Sequence, residues 1–288
     1  MKSFENTSII CSDDYILSAR FYPAQSTQTG SAILISPATG ITKTFYHALA
    51  EWLSEKGHAV LTFDFRGIGE SLYGPLKDSK ASIQDWGQLD LPAAIETLIK
   101  KTSIDRVTVI GHSAGGQLLG ITHNHSKIEK LIAIAASSGH VKDLKGRTKF
   151  MAPIMFNIIF PLSNTFKGYG ATKFLGMGEN LPKNVAKQWA LFCSKPGYVM
   201  NAMGQTIFEN FHHKVITPIT VFWASDDEIA TEKNVKDLLR LYPNAETNMI
   251  EIKPQQYEHQ SIGHMQMFKK SHQNIWPMIA AQIPCSSA

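Results

Sequence analysis

Residues 107–116 of the chain read VTVIGHSAGG, and the rest of the sequence is interpreted outward from this stretch. Its β-branched residues predict a buried strand, which stops at a glycine-rich turn before a helix-like stretch, GQLLGITH. Gly111, Gly115 and Gly116 leave room for neighbouring backbones to approach this turn. Ser113 is therefore expected at the carboxyl edge of a sheet and at the amino end of a helix, where N–H groups can face a negatively charged oxygen.

Several other short apolar runs show little alternation, which is typical of strands covered by helices on both faces. They are residues 32–35, 59–63, 131–135, 219–223 and 249–252. Stretches with helical spacing separate several of these runs, and one of them ends at Gly57. This alternation predicts an α/β fold with a mostly parallel, doubly wound sheet flanked by helices.

The alternation breaks off between residues 139 and 212, a stretch rich in Phe, Met, Gly and Pro. We predict a mostly helical cap insertion over 139–212, with the core formed by residues 1–138 before it and 213–288 after it. Its apolar side chains either hold the insertion on the core or line an apolar substrate pocket. The candidates for the pocket are Phe156, Ile159, Phe160, Phe166, Trp189 and Phe192.

Composition excludes several classes of protein. The formal net charge is +4 without a basic tract, so nucleic acid is not an expected partner. Cys11, Cys193 and Cys285 are too few and too far apart for a disulfide framework or a zinc site, and they suit a reducing cytosol. The most apolar window, residues 150–162, is shorter than the roughly 20 residues that span a bilayer. We expect a cytoplasmic monomer or homodimer without stable membrane insertion, since the first residues also lack the apolar run of a signal peptide.

A serine hydroxyl is a weak nucleophile near neutral pH and needs a base that a carboxylate orients. When the serine sits in a strand–turn–helix elbow, the acid and then the histidine follow it along the chain. Asp226 and Asp227 both follow the late strand predicted over 219–223. Asp227 is favoured because Ile229 can anchor the loop behind it, and Asp226 remains the alternative.

The base is sought among 11 histidines. His264 lies beyond the last predicted strand, and Gly263 before it suits a backbone that approaches the elbow closely. His259, in the polar stretch QQYEHQS, remains the alternative. His112 is expected to point away from Ser113 and to be structural. Two histidine pairs lack further ligands in the sequence and are interpreted as solvated side chains, with no metal: His123 with His125, and His212 with His213.

The same segments carry a resemblance to a known family. ILISPATG, FDFRGIGES, GHSAGG, SDDEIA and IGHMQMF are similar to segments of the α/β-hydrolase superfamily, near bacterial serine aminopeptidase-like, monoacylglycerol lipase-like and lysophospholipase-like hydrolases. The resemblance covers nearly the whole chain apart from the insertion, and it implies the α/β-hydrolase fold. It also implies that the FDFRGIGES loop is architectural rather than catalytic, which concerns Asp64, Arg66, Gly67, Gly69 and Ser71.

One departure from the family concerns the amides that would stabilise an oxyanion. Many members carry His-Gly after the first buried strand, whereas this chain reads SPATG over residues 36–40. Pro37 has no N–H and cannot donate. The resemblance therefore implies the N–H groups of Ala38 and Ala114 as the oxyanion hole, with Thr39 as the donor if the loop is shifted.

These expectations describe a serine hydrolase that cleaves a carboxylic ester with a short or medium acyl chain, lipid-like chains included. Ser113 would attack the acyl carbon of a small-molecule substrate, His264 would accept its proton, and Asp227 would orient the imidazole. This chemistry needs no metal or organic cofactor. An acyltransferase, or a hydrolase of thioesters or amides, would use the same three residues, since the fold does not fix the reaction. A binding protein without catalysis is a third hypothesis.

Overall fold

An eight-stranded sheet forms the centre of the protein in the computed structural model, which describes residues 3–26 and 31–284. The ten strands of the described residues are β1 Glu5–Ile10, β2 Ile16–Tyr22, β3 Ala32–Ser36, β4 Ala59–Phe63, β5 Val107–His112, β6 Ile128–Ile134, β7 Tyr169–Gly170, β8 Leu181–Pro182, β9 Ile219–Ala224 and β10 Thr247–Ile252. The order of the strands in the large sheet is β1-β2-β4-β3-β5-β6-β9-β10, and all neighbours from β4 to β10 run parallel. Strands β7 and β8 pair with each other outside this sheet.

The six runs predicted as buried strands are all strands of this sheet, with ends that differ by at most three residues. The predicted α/β fold with a mostly parallel sheet is confirmed. The antiparallel pair β1 and β2 was outside the prediction. Strand β1 lies at the sheet edge and buries only Ile9 among its residues, so its sequence has no apolar run.

Helices cover both faces of the sheet, and two of them continue through π-helical turns. The nine α-helices of the described residues are α1 His47–Glu55, α2 Ile83–Asp85, α3 Leu91–Thr102, α4 Ala114–Gln117, α5 Thr148–Ile154, α6 Phe160–Phe166, α7 Lys183–Cys193, α8 Glu232–Leu239 and α9 Trp276–Ala280. The π-helical turn Trp86–Asp90 joins α2 to α3, and the π-helical turn Met155–Ile159 joins α5 to α6.

The helix expected over GQLLGITH is shorter than the sequence suggested. Helix α4 ends at Gln117, and a 3₁₀ turn follows over Leu119–Ile121. Gly115, Gly116 and Gly120 explain the difference, because each glycine costs a helix interior about 0.8–1 kcal/mol relative to alanine. The serine elbow is thus followed by a single short turn of helix.

Residues 139–212 lie between β6 and β9 and are called the cap segment here. They contain α5, α6 and α7 and the small hairpin of β7 and β8, so the segment is mostly helical as expected. The division of the chain at 139 and 212 itself stays a prediction. Among the described residues, no helix has both the length and the apolar character required to cross a bilayer. Cys11 and Cys193 are buried free thiols, and Cys285 lies outside the described residues.

The loop after β4 is held by buried charges. The Asp64 carboxylate accepts hydrogen bonds from the Lys43 N–H at 2.6 Å and from Lys43 Nζ at 2.8 Å, and both side chains are buried. The Ser71 hydroxyl donates to the Asp64 carbonyl, and Arg66 pairs with the buried Asp90. These contacts tie the loop to the segment that follows β3, in keeping with the architectural role that the resemblance implies.

The carboxyl ends of the parallel strands β3, β5, β9 and β10 meet at one edge of the sheet. The chain leaves this edge as the turn at 36–40, the elbow at Ser113, the loop at 225–230 and the loop that leads to His264. In open α/β sheets, ligands bind outside this edge. The topology therefore brings together side chains that are up to 151 residues apart in sequence.

Candidate active site

Ser113 sits at the tip of a sharp turn between β5 and α4, with φ 47° and ψ −114°. Its backbone lies in a region that residues other than glycine rarely adopt. The turn closes against the neighbouring chain, because a Cβ at Gly115 would overlap the carbonyl of Ser36 and a Cβ at Gly111 would overlap the backbone of Gly116. The sequence places glycine where backbones touch, and the half-buried Ser113 lines a cavity at the sheet edge.

The structure brings Ser113, His264 and Asp227 into one hydrogen-bonded chain. His264 Nε2 lies 3.1 Å from Ser113 Oγ, and His264 Nδ1 lies 2.8 Å from Asp227 Oδ2. Burial on its own raises the pKa of the Asp227 carboxyl, but the charge of His264 and hydrogen bonds from His264 and two backbone amides outweigh it. The pKa of Asp227 therefore lies below its usual value, and the carboxylate is charged at neutral pH.

Asp226, the alternative acid, anchors the loop that carries the imidazole. Its carboxylate accepts hydrogen bonds from the Ile262 N–H at 2.9 Å and the Gly263 N–H at 3.0 Å. These amides come directly before His264 in the chain. Asp226 therefore acts on the position of His264 through the backbone, while Asp227 contacts the imidazole.

His259, the alternative base, is engaged elsewhere. Its Nε2 lies 2.8 Å from Asn274 Oδ1, and its ring stacks on His272 at 3.8 Å between centroids. His272 Nε2 donates in turn to the Ser261 carbonyl. His259 thus belongs to a small polar cluster on the loop between β10 and His264, and its contacts are not with Ser113.

Glu228, the third consecutive acidic residue of this loop, holds the start of helix α5. Its carboxylate accepts from the Arg147 N–H at 3.1 Å, the Thr148 N–H at 2.8 Å and the Thr148 hydroxyl at 2.6 Å. These hydrogen bonds satisfy amides that have no partner within the helix. No local pattern in the sequence indicates this contact, because Glu228 and Thr148 are 80 residues apart.

The expected role of Ala38 needs correction. Its N–H donates to the hydroxyl of the buried Tyr46 at 2.9 Å and so points into the core. An amide engaged there is not available to an oxyanion at Ser113. Ala38 and Thr39 both line the cavity beside Ser113, but Tyr46 engages the Ala38 N–H, so we favour the alternative that shifts the donor to Thr39. Ala114 is the first residue of α4, a position whose N–H has no partner within the helix.

A buried relay connects this turn to the histidine loop. Tyr46 Oη lies 2.9 Å from His112 Nδ1, and His112 Nε2 lies 2.9 Å from the His264 carbonyl. Burial lowers the pKa of His112 to about 3, so its ring is neutral. A carbonyl can only accept, so Nε2 carries the proton and Nδ1 accepts from Tyr46. His112 thus contacts Tyr46 and the backbone of His264, in keeping with the structural role expected for it.

We expect Tyr46→Phe to lower kcat for a reaction at Ser113 roughly 10-fold. The turn at residues 36–40 and the His264 loop would lose the hydroxyl that supports both. The substitution also leaves the Ala38 N–H buried without an acceptor, which should lower the free energy of unfolding by about 1–3 kcal/mol. Tyr22→Phe is the matched control, since Tyr22 is buried and its hydroxyl lies 3.1 Å from His47 Nδ1, away from the site. Steady-state kinetics and denaturant unfolding would measure both effects. Equal kcat losses in the two variants would contradict the relay.

A cavity of about 200 Å³ opens at Ser113, and residues of the cap segment line part of its wall. Gln117 contributes a polar side chain to the wall, and its amide is held by the Ser137 carbonyl. The remaining wall is mainly apolar, and much of it comes from the cap segment. It includes Leu144, Met155, Phe156, Trp189, Cys193 and Ile229.

The predicted pocket residues are only partly correct, because just Phe156 and Trp189 line this cavity. The other four lie elsewhere: Phe160 and Phe192 are buried in the apolar core, Ile159 is half-buried against that core, and Phe166 is 82% exposed. Helices α5 and α6 are apolar on both sides. Sequence alone therefore does not tell which side faces the cavity.

Comparison with known proteins gives a consistent picture. A family model described as "Alpha/beta hydrolase family" matches residues 33–255. Over 125 residues the chain is 27% identical to the tear acid lipase-like protein of Mesocricetus auratus. That match covers 41% of this chain and spans about a third, 31%, of the length of the relative.

Two solved structures are similar to this protein along almost the whole length of both chains. A variant of monoglyceride lipase from Saccharomyces cerevisiae has a TM-score of 0.64 at 17% identity, covering 98% of this chain and 95% of that one. An esterase from Exiguobacterium antarcticum has a TM-score of 0.62 at 14% identity, covering 96% of this chain and 98% of that one. At these identities the likeness establishes a shared fold.

Proposed function

The chain belongs to the alpha/beta hydrolase family, and from this premise we propose that it is a serine hydrolase of carboxylic esters. Family membership supports a hydrolase, and the solved lipase and esterase structures share its fold. The serine mechanism and the ester substrate are the parts that we propose. The observation that carries them is the continuous chain from Ser113 Oγ through His264 to Asp227, with links of 3.1 and 2.8 Å.

In this proposal His264 Nε2 accepts the proton of Ser113 as its oxygen attacks the acyl carbon. Asp227 holds the proton of Nδ1, which fixes the tautomer and stabilises the imidazolium that forms. The imidazolium then protonates the leaving alcohol, and an acyl-enzyme remains on Ser113. Water activated by His264 releases the acid. Neither a metal nor an organic cofactor takes part.

The N–H groups of Thr39 and Ala114 are the oxyanion donors that we propose. Thr39 lines the cavity beside Ser113 from the turn after β3. Ala114 directly follows Ser113 at the start of α4. A single donor of this kind contributes about 2.7–4 kcal/mol to the transition state. The close contact of Gly115 with Ser36 keeps the two turns together.

The apolar cavity supports a short or medium acyl chain as the preferred group. Its volume of about 200 Å³ limits the length of the acyl chain that it can enclose. Its mainly apolar wall offers dispersion contacts to that chain. We propose residues 139–212 as a cap that completes this wall, with the cytosol as the location that the free cysteines suit. Product analysis in the presence of an added alcohol would separate hydrolysis from acyl transfer.

We expect Ala152→Phe to shift the preference of the enzyme toward shorter acyl chains. Ala152 lines the cavity from helix α5, and a phenyl ring there fills space that the distal methylenes would occupy. Each methylene is worth about 0.8 kcal/mol when buried, or about fourfold in kcat/KM, so losing two or three costs roughly 15- to 60-fold for longer esters. The acetate ester should be affected least.

A series of p-nitrophenyl esters of graded chain length would measure this shift. Ile154→Phe is the matched control, because Ile154 lies two residues further on the same helix and is 44% exposed. Its profile should match that of the unmodified protein. An unchanged profile for Ala152→Phe would show that the acyl group lies outside this cavity.

A further inference from the structure

Helix α5, the π turn and helix α6 follow one another without a gap over residues 148–166 and are together called the cap helix. Its outer side exposes a line of large apolar side chains. Five of them, spaced four residues apart over helices α5 and α6 and the π turn between them, are called the outer stripe. They are Phe150, Ile154, Ile158, Leu162 and Phe166, with exposed fractions of 73, 44, 52, 53 and 82%. Single exposed apolar residues are ordinary on a protein surface, whereas a contiguous set marks an interaction site.

Positive charge accompanies the outer stripe. Residues 144–172 contain four cationic side chains and no aspartate or glutamate. The four are exposed, and they flank both ends of the stripe: Lys145, Arg147, Lys149 and Lys167. An exposed apolar face bordered by lysine and arginine is the composition of helices that lie in the interface of anionic membranes.

The opposite side of the same helix faces the candidate active site. Thr148, Ala152, Met155 and Phe156 line the cavity over Ser113. The helix thus separates the cavity from whatever the outer stripe contacts. A surface that covers the stripe would lie one helix diameter from the acyl-binding wall, about 10–12 Å.

We propose that the outer stripe docks reversibly on an anionic phospholipid surface and that the enzyme takes amphiphilic acyl esters from it. The substrate half of this proposal rests on the proposed ester hydrolysis, whereas docking does not. A second copy of the chain is a poorer occupant, because a symmetric contact would place the four cations of one protomer against those of the other. Lysine is also depleted in protein interfaces.

Co-sedimentation with vesicles tests the docking. We expect binding to vesicles of phosphatidylcholine mixed with phosphatidylglycerol, weaker binding to phosphatidylcholine alone, and release by salt. Phe150→Ser combined with Phe166→Ser should lower the partition coefficient roughly 10- to 100-fold. Phe208→Ser is the matched control, because Phe208 is 77% exposed and lies outside the cap helix.

Activity separates this proposal from the proposed function. The double variant Phe150→Ser/Phe166→Ser, called the stripe variant, should hydrolyse a short water-soluble ester at the unmodified rate. Its rate on an ester carried in the mixed vesicles should fall at least about 10-fold. Ser113→Ala should still sediment with vesicles while hydrolysing neither substrate. Failure of the unmodified protein to bind the mixed vesicles, or equal binding by the stripe variant, would overturn the docking. So would a dimer in solution that the stripe variant converts to a monomer.

Discussion

Ser113→Ala is expected to lower kcat for ester hydrolysis by roughly 10⁵- to 10⁶-fold. Alanine removes the oxygen that lies 3.1 Å from His264 Nε2, so an acyl-enzyme cannot form. Residual turnover would come from substrate binding and the oxyanion donors acting on water. Steady-state kinetics with a p-nitrophenyl ester, on protein shown to be folded by circular dichroism, would measure the loss.

A fluorophosphonate probe gives an independent readout, because it reacts with an activated serine. The unmodified protein should be labelled and Ser113→Ala should not. Ser194→Ala is the control, since Ser194 is exposed and its hydroxyl donates to the Leu191 carbonyl instead. Equal labelling or equal hydrolysis by Ser113→Ala and the unmodified protein would rule out Ser113 as the nucleophile.

Asp227→Asn is expected to lower kcat by roughly 10⁴-fold with little change in the fold. The amide of asparagine no longer requires a proton on His264 Nδ1, so the imidazole is free to adopt the tautomer that cannot accept the proton of Ser113. The charge that would stabilise the imidazolium is lost as well. Asparagine keeps an oxygen that can still accept from the Ile229 and Ala230 amides, which preserves the loop.

Asp226→Asn makes the same chemical change one residue away and serves as the matched comparison. It weakens the hydrogen bonds from the Ile262 and Gly263 amides but leaves the imidazole paired with Asp227. We expect a loss of about 10-fold in kcat, from looser placement of His264. If Asp226→Asn were the more damaging change, the assignment of the catalytic acid would have to move to Asp226.

The central parallel strands were predictable because they are buried and appear in the sequence as short apolar runs. Strand β10, at the sheet edge, was predicted as buried, but only Ile252 is. The spacing of Ser113, Asp227 and His264 at the ends of such runs was enough to propose that they meet. Strand β1 was missed because only Ile9 among its residues is buried. An edge strand of this kind has no apolar signature.

Other features depend on tertiary contacts that no local pattern encodes. The direction of the Ala38 N–H is set by the Tyr46 hydroxyl eight residues away. The sides of helices α5 and α6 are both apolar, so Phe166 was assigned to a pocket although it is exposed. Glu228 and Thr148 meet only because the cap segment returns to the loop after β9.

The backbone of Ser113, with its φ of 47°, has a consequence for folding as well as for chemistry. A conformation of this kind costs of order 1–3 kcal/mol in any residue with a Cβ, and the surrounding fold must supply it. Glycine at this position would release that strain, whereas alanine retains it. A glycine at position 113 would therefore raise thermal stability and abolish the activity that depends on the hydroxyl. Alanine removes the hydroxyl but leaves the backbone strain in place.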